Sequence, residues 1–169
     1  NRIGTDATGT APLPNLFNGV IVIGSGNVVG AANSKNPILG ALFDGNEIAY
    51  TSAGAGINNE SGLNNSFLSN TVFSNSNLGI DLAGDGITPN DPGDGDTGAN
   101  ELQNFPVLTS ASGPGLQTNV AGSLNGAANT AYRIQLFSNS SCDPSGYGEG
   151  ESLVDELFVT TNGKGKRPP

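Results

Sequence analysis

The sequence predicts an all-β chain whose first half is a stack of short windings and whose second half is antiparallel. Three observations carry that expectation. The run from Asn46 to Leu82 states one pattern twice: Asn46-x-Ile48 is followed about ten residues later by Gly56-Ile57, and Asn70-x-Val72 by Gly79-Ile80. The two copies are offset by about 23–24 residues, a period typical of stacked-coil architectures. Each apolar alternation is also short and is broken by Gly, Asn or Ser, so none is long enough for a helical face. Finally, the chain holds 26 Gly with only 12% charged and 6% aromatic residues, while Ile and Val recur at intervals, a composition of turn-rich β structure rather than disorder. A single winding cannot bury its aliphatic side chains, whereas windings stacked on one another can. A leucine-rich repeat is the competing architecture, but its Leu-x-x-Leu-x-Leu spacing is absent.

Taken in order, Asn1–Gly4 (NRIG) and Asn27–Gly30 (NVVG) share an Asn-x-apolar-Gly figure. Between them lies a polar loop in which Pro12 and Pro14 exclude a regular strand. Gly19–Ile23 (GVIVI) reads as a strand entered through an Asn18-Gly19 turn. Residues 31–37 form a second polar excursion, Ile38–Phe43 returns to apolar residues, and Asp44-Gly45 turns into the two clear repeats. About three to four coils are expected up to Leu82. Their core is expected to hold Ile3, Val20, Val29, Ile48, Ile57, Phe67, Val72, Ile80 and Leu82, with the recurrent Asn side chains at the bends hydrogen-bonding from coil to coil. From Asp81 the composition shifts. Asp81, Asp85, Asp91, Asp94, Asp96 and Glu101 follow closely with no Lys or Arg among them, and Pro89, Pro92 and several Gly mark a loop. Val120–Leu124, Tyr132–Phe137 and Leu157–Thr160 then read as antiparallel strands, with turns at Asn125-Gly126 and Asn162-Gly163. The ending KGKRPP is basic, unlike what precedes it, and reads as a disordered tail.

The bulk numbers exclude several functions. Six Lys and Arg stand against 15 Asp and Glu, a net charge of −9, which argues against nucleic acid and anionic membrane partners. No apolar run approaches the ~18 residues of a membrane span, so no membrane insertion is expected. There is no Met, and the chain is expected to be a processed or excised piece of something longer. With no His, Ser–His and Cys–His catalysis are excluded. The single Cys142 cannot form an internal disulfide and is expected to be a half-buried thiol.

The run NLGIDLAGDGITPNDPGDGDTGANELQNFPVLTSA, with NRIGTDATGT upstream and FSNSSCDPSGYGEG downstream, resembles bacterial secreted right-handed parallel β-helix repeat proteins of the pectate-lyase-like superfamily. The resemblance covers nearly the whole chain except the tail. It implies a right-handed parallel β-helix end (residues 1–82), an acidic Gly/Pro-rich linker (83–105), a partial immunoglobulin-like β-sandwich (106–163) and the tail (164–169). It also implies a secreted or cell-surface location and a family mostly without an assigned activity. Lys164–Pro169 departs from the expected continuation, so a last strand of the second module is expected to be missing.

The acidic run is the best candidate site. A hard Ca²⁺ takes about six to eight oxygens from carboxylates and carbonyls on a bendable loop. Asp91, Asp94, Asp96 and Glu101, with Asn90 and Asn100, can supply them. The spacing is neither an EF-hand loop nor a tandem Gly-Gly-x-Gly-x-Asp array, and a solvated acidic linker is the plainer alternative. Enzyme chemistry finds less support. A lyase base would have to be Arg2 or Lys35, and an inverting hydrolase would need a carboxylate pair roughly 6.5–9.5 Å apart, such as Asp44 with Glu47 or Glu60 with Asp81. GSGNVVG (Gly24–Gly30) is a glycine turn with no helix to follow it, not a nucleotide fingerprint. Phe17, Tyr50 and Tyr147 are the rings that could touch a sugar.

Two functions are therefore carried forward. One is a non-catalytic structural or adhesive module of an exported or cell-surface protein, stabilised by Ca²⁺. The other is a carbohydrate-active β-helix that binds or cleaves a polysaccharide. A surface glycan is a candidate partner, and the first coil, if uncapped, is expected to support self-association through its strand edges.

Overall fold

Gly19 and Gly56 show how the windings are set one on another. A β-carbon on Gly19 would lie 2.6 Å from the Ile48 side chain and 2.7 Å from the Gly56 carbonyl oxygen. One on Gly56 would lie 2.5 Å from Val72 and 2.8 Å from the Gly79 carbonyl oxygen. Each bend is thus filled by an aliphatic side chain and by the backbone of the following coil, and only glycine leaves room for both. The computed structural model describes residues 1–31, 45–113 and 117–165.

Among the described residues, eight strands of three residues or fewer run through the coil region: β1 (Arg2–Ile3), β2 (Val20–Val22), β3 (Val28–Gly30), β4 (Glu47–Ala49), β5 (Ile57–Asn59), β6 (Ser66–Leu68), β7 (Thr71–Phe73) and β8 (Ile80–Leu82). They pair in parallel as three sheets, β1-β4-β7, β2-β5-β8 and β3-β6. Every neighbour in a sheet comes from a different winding, so the chain is a parallel β-helix of about three coils. Register follows the sequence repeat: Ile3, Ile48 and Val72 are aligned across the first sheet, and Val20, Ile57 and Ile80 across the second.

Ile48, Ile57, Val22 and Val72 form the buried column, with Ile3, Val20, Val29 and Phe67 packed against it. Seven of the nine expected core positions are therefore in it. Val22, which was not expected, joins because period-two alternation turns both Val20 and Val22 inward and Ile21 outward. Ile80 departs from expectation: it is 44% exposed because β8 is the last strand of its sheet and no winding follows to cover it. Ile38–Phe43 lies outside the described residues.

The bend residues hold the coils in register. Asn46 donates from its backbone and its side chain to Asn70 Oδ1, at 3.0 and 2.9 Å, and Asn1 Nδ2 donates to Asn46 Oδ1 at 2.7 Å. A second file repeats this at another corner: Asn27 donates twice to Asn65 Oδ1, and Asn65 N donates to Asn100 Oδ1 at 2.9 Å. These amides satisfy backbone groups that the turns would otherwise leave without partners.

By its internal contacts the chain forms two compact units. The first comprises Asn1–Thr88, Gly98–Asn100 and Gln135–Glu156. Its later segments finish the coil stack. Val72 and Gly150 exchange backbone hydrogen bonds of 2.8 Å each. Ser69 N donates to Gln135 Oε1 at 2.8 Å, and Glu149 accepts from both the backbone and the side chain of Asn75.

The second unit comprises Pro89–Thr97, Glu101–Ile134 and Leu157 onward. Leu124, Tyr132 and Val159 are its buried core, with Ile134 and Leu157 against them. Beyond the coils the strands pair antiparallel: β9 (Val107–Ser112) with β10 (Asn119–Ser123), and β11 (Ala131–Ser138) with β12 (Ser152–Thr160). A 3-10 turn, Ala99–Leu102, precedes them.

Candidate functional site: the acidic loop

Gly93 and Asp94 both adopt positive φ, at 81° and 58°, and this left-handed pair reverses the chain between Asp91 and Asp96. The reversal is stabilised from within, since the Asp91 carboxylate accepts the Gly95 N–H at 3.0 and 3.2 Å. It is also held from outside by Asn104, which is only 2% exposed. Asn104 Oδ1 accepts from Asp91 N (2.9 Å), its Nδ2 donates to Asp91 O (2.8 Å) and to Asn125 O (2.6 Å), and its own N–H donates to Asp94 Oδ1 (2.6 Å). Asn90 repeats the reciprocal pairing one step out, donating to Phe105 O and accepting from Phe105 N. Two asparagine amides thus clamp the loop to the segment leading into β9.

The result is that Asp91, Asp94 and Asp96 each bring one carboxylate oxygen within 4.8 Å of the others. All three residues are half-buried. Asp96 Oδ1 is shielded from solvent and has no hydrogen-bond partner among the described residues, which is costly for a carboxylate oxygen. Tyr132 Oη donates to the second Asp94 oxygen at 3.4 Å and accepts from Ala127 N at 2.8 Å. Burial, followed by the charges of Asp94 and Glu101, pushes the Tyr132 hydroxyl above its usual range, so it stays a donor at neutral pH. Oxygens bound to one Ca²⁺ at about 2.4 Å can be no more than about 4.8 Å apart, and the three carboxylates lie within that limit. The group can hold a metal ion.

Of the other residues singled out in the sequence, Glu101 lies exposed on the 3-10 turn and is not one of the three converging carboxylates. Asn100 is engaged with the coil stack: it accepts from Asn65 N and donates to Asn65 O and, from its backbone, to Gly62 O. Asn104 was not anticipated, and a lone Asn between Gln103 and Phe105 carries no pattern that would flag it.

Arg2 is committed to structure. It pairs with Glu47 at 3.7 Å and donates to the Ala7 carbonyl. Lys35 and Asp44 lie outside the described residues. Glu60 is exposed, whereas Asp81 is buried on β8, where its carboxylate accepts the Gly86 N–H. Tyr50 packs edge-on against Phe73 at 5.6 Å, while Phe17 and Tyr147 are exposed. Cys142 is an exposed thiol, not the half-buried one its sequence context suggested. Gly24 and Gly26 take positive φ in a bend that leads into β3.

No protein-family model matches this chain, and neither a curated protein nor a solved structure does.

Proposed function

We propose that this chain is a non-catalytic structural or adhesive module of an exported or cell-surface protein, stabilised by Ca²⁺ bound at Asp91, Asp94 and Asp96. The observation that carries the reading is the convergence of those three carboxylates, together with an Asp96 oxygen that is buried with no hydrogen-bond partner among the described residues. Three like charges held that close repel one another, and a divalent cation converts the repulsion into the largest local attraction available to the loop. The coil stack supports the structural part of the reading: its bend amides are spent on coil-to-coil bonds, and its last winding is finished by Gln135, Glu149 and Gly150. The kinship proposed is with bacterial secreted parallel β-helix repeat proteins, on the runs quoted above. Waters complete the coordination sphere, because three carboxylates supply fewer than the six to eight oxygens of a typical site.

Thermal unfolding with added Ca²⁺ and with EDTA tests the metal, and a glycan array with reducing-sugar and unsaturated-product assays tests the rest. The proposal expects a midpoint that rises with Ca²⁺ and no product from any polysaccharide. An unchanged midpoint removes the metal, and turnover of a glycan replaces the structural module with a carbohydrate-active one.

A further inference from the structure

Gln135 presents both ends of its carboxamide to one residue. Its Oε1 accepts from Ser69 N at 2.8 Å, and its Nε2 donates to Ser69 Oγ at 3.0 Å. The same nitrogen also donates to Glu156 Oε2 at 2.7 Å. All three residues belong to the first unit. Ser69 is 3% exposed, so its hydroxyl is kept from bulk water, and Gln135 and Glu156 are half-buried. Ser69 also adopts φ 59°, a left-handed corner at which glycine costs least. What serine adds there is a hydroxyl, set against the amide of a residue 66 positions away. The group holds the parts of an acyl-transfer site: a nucleophile, an N–H donor at the carbonyl oxygen and a carboxylate at the leaving nitrogen.

We infer that Ser69 and Gln135 are a modification site at which the chain cross-links itself, through an ester between Ser69 Oγ and Gln135 Cδ formed with release of ammonia. Attack needs Oγ over the amide carbon. Rotation about the Ser69 Cα–Cβ bond moves it off Nε2 toward Cδ, which is bonded to both contacted atoms, and leaves Ser69 N in place. As the Oγ–Cδ bond forms, the carbonyl electrons move onto Oε1, where the Ser69 N–H holds the negative charge. The hydroxyl proton passes to Nε2, the Cδ–Nε2 bond breaks and the nitrogen leaves as ammonia. Glu156 assists that departure, because a carboxylate binds a nitrogen gaining positive charge better than a neutral amide. Proximity replaces an external activating group, since well-oriented intramolecular partners reach effective molarities of about 10⁵–10⁸ M. Loss of ammonia to solvent carries the step forward, and no oxidant or co-substrate is needed. The product is a covalent tie from the corner that follows β6 to Gln135 on β11, made without the metal at the acidic loop.

Intact-mass spectrometry of the full chain, followed by peptide mapping, is the test. The wild-type chain is expected about 17 Da below its sequence mass, one ammonia lighter, and the peptides carrying Ser69 and Gln135 should stay joined after digestion. Ser69→Gly suits the left-handed corner, so the chain should fold and show the mass its sequence gives, with the two peptides separate. Gln135→Leu should do the same. Hydroxylamine should part the joined wild-type peptides and leave a hydroxamate at Gln135. Glu156→Gln should slow the appearance of the lighter species at least ~10-fold. A folded wild-type chain at full sequence mass overturns the proposal. So does a loss of ammonia with the two peptides separate, which would place it at an Asn-Gly pair such as Asn162-Gly163. Joined peptides that persist in Ser69→Gly would also overturn it, and an unchanged rate in Glu156→Gln would strike Glu156 from the reaction.

Discussion

In the coil stack, polar side chains at the bends are answered by the next winding; in the acidic loop, three carboxylates are answered by one another. Asn46 and Asn70, or Asn27 and Asn65, each satisfy backbone groups of a neighbouring coil over aliphatic side chains that are fully buried. Asp91 and Asp94 are held by Asn104, with Asp96 close beside them, but the carboxylates they bring are of one kind. In the first region the bend amides are satisfied by protein groups, while Asn58 Oδ1 and Asn59 Nδ2 on β5 are buried with no partner among the described residues. The other gains most from something the protein does not itself supply. Stability in the first should therefore depend on packing and amide bonds, and in the second on ionic conditions.

The largest effect should come from the column. Ile48→Ala empties a fully buried position between Ile3 and Val72 and should cost about 2–5 kcal/mol in denaturant unfolding, with no change on adding Ca²⁺. Next comes the loop. At Ca²⁺ concentrations 100-fold above the dissociation constant, binding should add about 2.7 kcal/mol. That increment should vanish in the Asp91→Asn, Asp94→Asn, Asp96→Asn triple variant, as read by thermal melts with and without EDTA. A calcium response in Ile48→Ala different from wild type, or one retained in the triple variant, would erase the distinction between the regions.

Smaller changes sharpen it. Gly56→Ala forces a methyl group against Val72 and the Gly79 carbonyl and should cost about 1–3 kcal/mol. Asn70→Ala leaves the Asn46 N–H without its side-chain acceptor and should cost a comparable about 1–3 kcal/mol. The smallest effect is in pH. Burial raises the Glu149 carboxyl above its ordinary value of 4.5; bonds from Asn75 oppose the shift and the Asp143 charge adds to it. A raised carboxyl favours the folded state when protonated, so its contribution is present below about pH 4.5 and is lost as the pH rises through the raised value. Glu149→Gln should flatten the fall in stability that sets in as the pH rises above about 4.5. Asp81, raised by burial in the same direction, keeps some slope, and only Asp81→Asn with Glu149→Gln should remove both.

Much of the coil region was legible because the pattern that forms it is local and repeated. Asn-x-Ile and Asn-x-Val mark β4 and β7, and Gly-Ile marks β5 and β8, at a spacing that stacking itself imposes. The end of the column was not legible. Ile80 looks identical to Ile57 in sequence, and only the lack of a following winding exposes it. The groups that finish the stack were hidden for the same reason: Gln135 lies 66 positions from Ser69, and Glu149 74 from Asn75, with no periodicity linking them. In the acidic loop, the carboxylates announced themselves by density of charge, but two of the three that converge, Asp91 and Asp94, are held by Asn104, a single residue without a motif. The β9 strand was missed because Pro106 just before it reads as loop, and the bulge at Thr109 interrupts the alternation that would have marked it.

Residue-resolved hydrogen exchange with and without Ca²⁺ measures both regions in one experiment. The amides of Asp91, Gly95 and Asn104, all bonded within the acidic loop, should gain protection when Ca²⁺ is added. Those of Glu47, Ile57 and Thr71, bonded between coils, should be protected to the same degree in both conditions. Coil amides that exchange freely, or loop amides indifferent to the ion, would contradict the account.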